Sequence, residues 1–264
     1  MHQILNTVVF QFLNFLDKHT FRRICKYNRD KIQMTDMYSI KKKYLTRLND
    51  KILSNYKYVQ KLNACDNPKI TNINHMTNFK VLNAPANSGI DDRGIKKVDL
   101  EILYAYSNSK ITNVNHMSNL KELDAAGYCG ICDQGIENND VKILCAYSNS
   151  KINNVNHMSN LKELDASVNC GIDDRGIKEV DLEILHADSN SKITNVNHMS
   201  NLKELNASGC CGIDDQGILN INSETLYADY NPKITDVKHM KILKKKYIQQ
   251  EIVVFVIKEL RTMM

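Results

Sequence analysis

The chain has no tryptophan and only 3 prolines in 264 residues. It also lacks a long apolar run. The best stretch, Ile4 to Leu16, is broken by Asn6, Gln11 and Asn14, and residues 252–257 form only a short one. A membrane-spanning helix needs about 20 apolar residues, so neither segment qualifies and no membrane partner is expected. The first stretch has no basic lead-in and no clear small-residue cleavage site, which argues against a secretory signal. Charge of one sign is missing too. Lys+Arg 35 against Asp+Glu 30 give a net +5, too mild for a dedicated nucleic-acid binder. No Gly-rich phosphate loop and no nucleophile–base constellation stands out. Eight cysteines show no disulfide framework, which fits a reducing compartment and a cytoplasmic location. With 42% hydrophobic residues the chain is not disordered by composition, and its length allows one large domain or two small ones. What is abundant is asparagine.

Charge divides the chain into three. Residues 1–58 carry 12 Lys/Arg and 4 Asp/Glu, residues 59–240 carry 17 and 24, and residues 241–264 carry 6 and 2. Two basic ends flank an acidic middle. The middle repeats. Lys-Ile pairs at 69–70, 110–111, 151–152, 192–193 and 233–234 are each 41 residues apart, and Asn67, Asn108, Asn149, Asn190 and Asn231 keep the same step. Each 41-residue block splits into halves of 20 and 21 that share one pattern, as in Leu100-Leu103-Ala105-Asn108-Ile111 and Leu161-Leu164-Ala166-Asn169-Ile172. Nine such units fill residues 59–240.

Leu103 and Ala105 are two positions apart, so they share one face of a short strand. One such strand cannot close a core, whereas stacked copies bury a continuous one. Alanine at the second position implies a narrow interior there. Asparagine at a fixed turn position can satisfy backbone groups of the neighbouring coil through its amide.

The pattern resembles the leucine-rich repeat family, with alanine at its third leucine position. The 20-residue half (Ile111 to Asn119) is similar to the short repeats of internalin-type proteins. The 21-residue half (Cys170 to Ile177) is similar to the cysteine-containing repeats of F-box proteins. The alternation, the Asn/Lys/Ile content and the short basic N-terminus resemble repeat proteins of large DNA viruses of amoebae. The resemblance implies an α/β solenoid with a parallel sheet on its concave side; for a viral protein the cytoplasm would be the host cell's.

The ends break the period. In residues 1–58, apolar residues recur at helical spacing from Ile4 to Leu16, and Thr20 can cap a second helix through Phe21 and Ile24. This reads as a helical N-terminal cap, which hides the first coil's apolar edge. Residues 4–32 also resemble the middle of an F-box, although its Leu-Pro opening and its tryptophan are missing. That resemblance implies a substrate receptor of a cullin-type ubiquitin ligase, with Phe12, Leu13, Leu16 and Phe21 as contacts for the ligase's adaptor. At the other end the repeat's leucine becomes Lys246, and residues 241–264 read as a short C-terminal cap.

Three repeated columns could suggest chemistry. His75, His116, His157, His198 and His239 sit 41 residues apart. Zinc ligands lie about 2.0–2.3 Å from one ion, while every second coil is roughly 10 Å away, so these histidines cannot share a metal. The same spacing forbids disulfides among Cys129, Cys170 and Cys211. The pairs Asp91-Asp92, Asp173-Asp174 and Asp214-Asp215 recur periodically, which points to turns or short-helix starts; calcium would need more oxygen ligands. No catalytic residue, metal or cofactor is therefore expected.

The irregular positions lie on the sheet's outward face. They are Tyr104, Tyr106, Glu122, Asp124, Tyr147, Glu163, Asp165, His186, Glu204 and Tyr227. Exposed aromatics among polar neighbours are typical of interface hot spots. The expected function is non-catalytic protein binding on this concave face, and its acidic bias suits a partner with a basic surface. Nucleic acid, through Lys41-Lys42-Lys43 and Lys244-Lys245-Lys246, ranks below it because the middle is acidic.

Overall fold

The structure, a computed structural model, describes residues 35–38, 42–76 and 78–247. Its strands are β1 (Asp36–Met37), β2 (Lys61–Asn63), β3 (Val81–Asn83), β4 (Ile102–Tyr104), β5 (Glu122–Asp124) and β6 (Ile143–Cys145), followed by β7 (Glu163–Asp165), β8 (Ile184–His186), β9 (Glu204–Asn206), β10 (Thr225–Tyr227) and β11 (Lys245–Tyr247). They form one parallel sheet in chain order. Each of the nine expected units supplies one strand, β2 to β10. From β2 to β10 the register sets leucine beside leucine, as in Leu103↔Leu123↔Leu144↔Leu164. These leucines and the following alanines are buried. Burying one such leucine stabilises by about 1.5–3 kcal/mol, so the column carries much of the core.

A short coil leaves backbone carbonyls pointing at its neighbour, and asparagine answers them. Asn108 is buried and donates Nδ2 to the carbonyls of Ala84 (2.8 Å) and Ile90 (3.2 Å) in the preceding coil. Its Oδ1 accepts the N–H of Lys110 at 3.0 Å. Asn149, Asn190 and Asn231 repeat this set, and Asn67 bonds Leu45 and Leu48 in the same way.

In the alternate coils the buried position moves by one. Ser88, Cys129, Cys170 and Cys211 are buried, whereas Asn169, which the sequence pattern puts on the ladder, is exposed. Here backbone replaces side chain: Gly130, Gly171 and Gly212 donate N–H to the carbonyls of Asn108, Asn149 and Asn190 at 3.0–3.1 Å. A small apolar thiol then suffices. Glycine is required for this approach, because a Cβ on Gly130 would lie 2.5 Å from the Ile111 oxygen. The shift follows the left-handed residue. It is Ser107, Ser148 or Ser189 just before the asparagine, but Gly127, Val168 or Gly209 two before the cysteine.

The paired aspartates do two different things. The first caps its own helical turn: Asp91, Asp173 and Asp214 accept the N–H groups of Gly94, Gly176 and Gly217 at 2.9–3.1 Å. The second ties the next coil: Thr112 donates its N–H (2.7 Å) and its hydroxyl (2.6 Å) to Asp92. Thr194 with Asp174 and Thr235 with Asp215 repeat the tie. Cys132 stands where the first aspartate is expected, and the helix it precedes, Asp133–Ile136, has no side-chain cap bond.

The expected caps at 1–58 and 241–264 fall only in part on described residues. Residues 1–34 and 248–264 lie outside the described residues. Residues 35–38 and 42–58 hold β1 and two four-residue helices, α1 (Lys42–Leu45) and α2 (Asp50–Leu53). They build a further coil ahead of the array, and the helices expected from Ile4 to Leu16 and after Thr20 lie outside the described residues. Asn49 caps α2, and Asp50 ties Thr71, as the aspartate pairs do elsewhere. The period hides this coil because the step from Met37 to its partner Leu62 is longer than any step between later strands. Past the array, Lys246 pairs with Leu226, so the backbone ladder continues one strand beyond the leucine column.

Three expectations follow. Asn149→Ala deletes two bonds to carbonyls and one from an N–H; it should cost roughly 1–3 kcal/mol, and an unchanged melting temperature would contradict the ladder. Cys132→Asp should restore the missing cap and stabilise by about 1 kcal/mol, read as a rise in melting temperature. The third concerns acid. The Arg175 hydrogen bond foremost, helped by the Gly176 N–H, holds Asp173 below its ordinary 3.8. At Asp140 and Asp215 burial pushes upward, but the combined donors of the following coil outweigh it and lower both. A lowered folded-state pKa means the stabilisation is complete above the unfolded value and is lost as pH falls through the folded one. Thermal unfolding should therefore be insensitive to these ties above about pH 5 and weaken below about pH 4, and Asp173→Asn should blunt that acid loss.

Candidate functional site

On β3 to β10 the two residues flanking the buried leucine point outward and are half-buried. The first row runs Ile102, Glu122, Ile143, Glu163, Ile184, Glu204. The second runs Tyr104, Asp124, Cys145, Asp165, His186, Asn206, with Tyr227 after it. Tyr106 and Tyr147 stand just past the strand ends, 50% and 41% exposed. The expected residues thus share one continuous surface. The 20/21 alternation is stamped on it: β5 and β7 read Glu-Leu-Asp and β9 Glu-Leu-Asn, whereas β4, β6 and β8 each begin Ile-Leu.

Asp124 and Asp165 are partly architectural. Each accepts, through Oδ1 at 3.0 Å, the N–H two residues on, from Ala126 and Ser167. Burial above all pushes Asp124 upward, and the charges of Asp165 and Glu122 add to it. Burial also raises Tyr104 strongly, followed by its hydrogen bond to Glu122 and the charges around it, Tyr38 among them. Tyr38 follows β1 and belongs to the same neighbourhood; its pKa too is raised, by burial and then by Glu122. The broken period of residues 1–58 concealed it. Between the two aspartates lies Cys145, whose thiol donates to Asp165 Oδ2 at 3.7 Å and is pushed up to about 12, chiefly by burial. Such a thiol is a poor nucleophile. His186 Nε2 lies 3.5 Å from Glu204 Oε1. Ile143, Cys145, Glu163, Asp165, Ile184 and His186 line a depression of about 200 Å³ over β7.

Beside this face runs a Lys/Glu row that the sequence reading did not single out. Glu101 pairs with Lys80 and Lys121 at 2.6 and 3.4 Å, Glu183 with Lys203 at 2.6 Å, and Glu224 with Lys244 at 2.7 Å. The place of the glutamate between Lys121 and Lys162 is taken by Lys142. Its signal was the repeat step itself.

The other columns are occupied by structure. Each repeated histidine contacts a carbonyl of the preceding helical turn through Nε2, from His75 with Leu53 to His239 with Ile218, at 2.9–3.1 Å. A carbonyl only accepts, so Nε2 carries the proton. Cys129, Cys170 and Cys211 are buried and pushed up to about 11, mainly by that burial. Among the described residues no group of three or more His, Cys, Asp or Glu could hold a metal ion, and no helix is long and apolar enough to cross a membrane. A second depression, of about 450 Å³, involves Asp133, Glu137, Asn156 and His157. Three of these are engaged in bonds between coils. Phe12, Leu13, Leu16 and Phe21, the adaptor contacts expected from the F-box resemblance, lie outside the described residues.

Neither a scan of protein-family models nor a search of curated proteins finds a match. Among solved structures, the chain is similar to the functional domain of InlJ from Listeria monocytogenes, which includes a cysteine ladder, with a TM-score of 0.32 and 16% identity over 74% of this chain and 60% of that one. It is also similar to an internalin (inlF) from Listeria monocytogenes str. 4b F2365, with a TM-score of 0.52 and 16% identity over 81% of this chain and 77% of that one. The likeness to that internalin is one of fold: a parallel-sheet leucine-rich repeat solenoid.

Proposed function

We propose that the chain is a protein-interaction module without catalysis of its own, and that it binds a partner with a basic surface on the outward face of its sheet. One observation carries this reading. Carboxylates crowd alternate strands in register, Glu122 with Asp124 on β5 and Glu163 with Asp165 on β7, and burial first, then the charges of Asp165 and Glu122, raise the pKa of Asp124. A cationic partner would relieve that repulsion and gain from it. The rest of the polar surface supports the reading by elimination, since the repeated His, Asp and Asn side chains are engaged in bonds between coils. Tyr104, Tyr147 and Tyr227 supply rigid aromatic area of the kind that dominates interface energetics.

The test is binding to a panel of purified basic proteins at low salt and at about 0.5 M salt. The wild-type chain should bind in a salt-sensitive way. Glu122→Gln/Glu163→Gln/Glu204→Gln should weaken binding at least about tenfold, through three lost charges at about 0.5–1 kcal/mol each. Tyr104→Ala/Tyr147→Ala/Tyr227→Ala should weaken it further at high salt. Variants that fold normally and bind as the wild type does would refute the proposal.

A further inference from the structure

We propose that the face from β4 to β9 is built to receive an α-helix whose contacting stripe alternates cationic and apolar side chains, one per turn. This rests on the face being the docking surface, and it specifies the shape and charge pattern of the partner. The six strands present Ile102, Glu122, Ile143, Glu163, Ile184 and Glu204 in one line, each in register with the next. Neighbouring strands are about 4.8 Å apart, so like side chains recur at about 10 Å. Asp124 and Asp165 double the charge on β5 and β7. Among the described residues, Glu122, Asp124, Glu163 and Asp165 form no ion pair, and the one basic side chain on these strands, His186, lies against Glu204. The line is acidic and apolar by turns, with no cation in place.

Three extended shapes could cross it. A helix advances about 5.4 Å per turn, so its successive turns stand over successive strands and drift by only about 3 Å across the six. A β-strand presents same-side residues about 6.7 Å apart and drifts by roughly 9 Å over the same span. A polyproline helix repeats at about 9.3 Å, which serves the carboxylates and leaves the isoleucine strands bare. Only the helix meets the acidic strands and the isoleucine strands alike. Over β7 the depression of about 200 Å³ sets Ile143 and Ile184 on either side of Glu163 and Asp165. This is a slot for a long cationic side chain: the stem lies against the isoleucines and the guanidinium on the carboxylates.

The experiment uses the full chain and two labelled helical peptides of identical composition. One carries arginine at every seventh position with leucine midway between. The other carries its arginines on consecutive turns of the same stripe and its leucines on the rest. Fluorescence anisotropy at about 0.1 M salt should show the alternating peptide binding at least about tenfold tighter. Glu163→Gln/Asp165→Asn should abolish that advantage; Asn keeps an acceptor for the Ser167 N–H, as Asn206 does for Ser208. Equal binding of the two peptides, with both weakened by the double substitution, would overturn the alternating-helix reading and leave the docking face standing. Binding indifferent to the substitution would overturn both.

Discussion

The solenoid depends on one constraint: a coil this short cannot satisfy its own inward-pointing carbonyls. An unpaired buried polar group costs about 1–3 kcal/mol, and repetition multiplies that cost. The buried asparagine amide solves it in one class of coil, by reaching back to two carbonyls at once. A backbone N–H from glycine solves it in the other. The two solutions are complementary, so the coils alternate and the true repeat is a pair of coils. The aspartate ties and the histidine contacts extend the same logic to the far side of each coil.

What was legible in the sequence was whatever this periodicity forces. Leucine columns, the asparagine ladder and the buried cysteines recur at a constant step, because a slip of one residue would empty the core. What escaped was local conformation. Asn169 and Cys170 are adjacent, and both fit the spacing between Leu164 and Ile172. The choice between them is made by Val168 at a φ of 62°, which composition does not reveal. The coil at residues 35–58 escaped because its longer loop breaks the step while keeping the parts: Asn49 as cap, Asp50 as tie, Leu53 as the carbonyl met by His75. On the outward face the residues were identifiable, since irregularity shows against a repeat. Their mutual electrostatics was not, because Tyr38 joins from outside the period.

Departures from the repeat gather in the coil of residues 120–140. Cys132 forfeits a cap. Glu137 puts a negative charge at a helix end where Lys96 and Lys178 put positive ones, against the backbone dipole. Asn139 replaces the apolar residue found at Val98, Val180 and Ile221; its amide bonds Val114 and Met117, but its Oδ1 is buried without a partner. The Val114 and Met117 carbonyls already accept backbone N–H groups, so the amide adds little there. These features set this coil apart from the others of its class, and it is also the coil that presents Asp124.

The alternation that stabilises the array also limits the charge it can display. Like charges on every second strand stand about 10 Å apart, close to the Debye length at physiological salt, so their mutual repulsion is only a few tenths of a kcal/mol. Carboxylates on every strand would sit about 4.8 Å apart and repel at least twice as strongly across a partly dry surface. The isoleucine strands therefore act as spacers. They hold the acidic strands apart and leave an apolar floor between them, and this lets a stability requirement and a recognition surface occupy the same residues. At Asp124 burial adds to the neighbouring charges: burial first, then Asp165 and Glu122, raise its pKa above that of an ordinary aspartate.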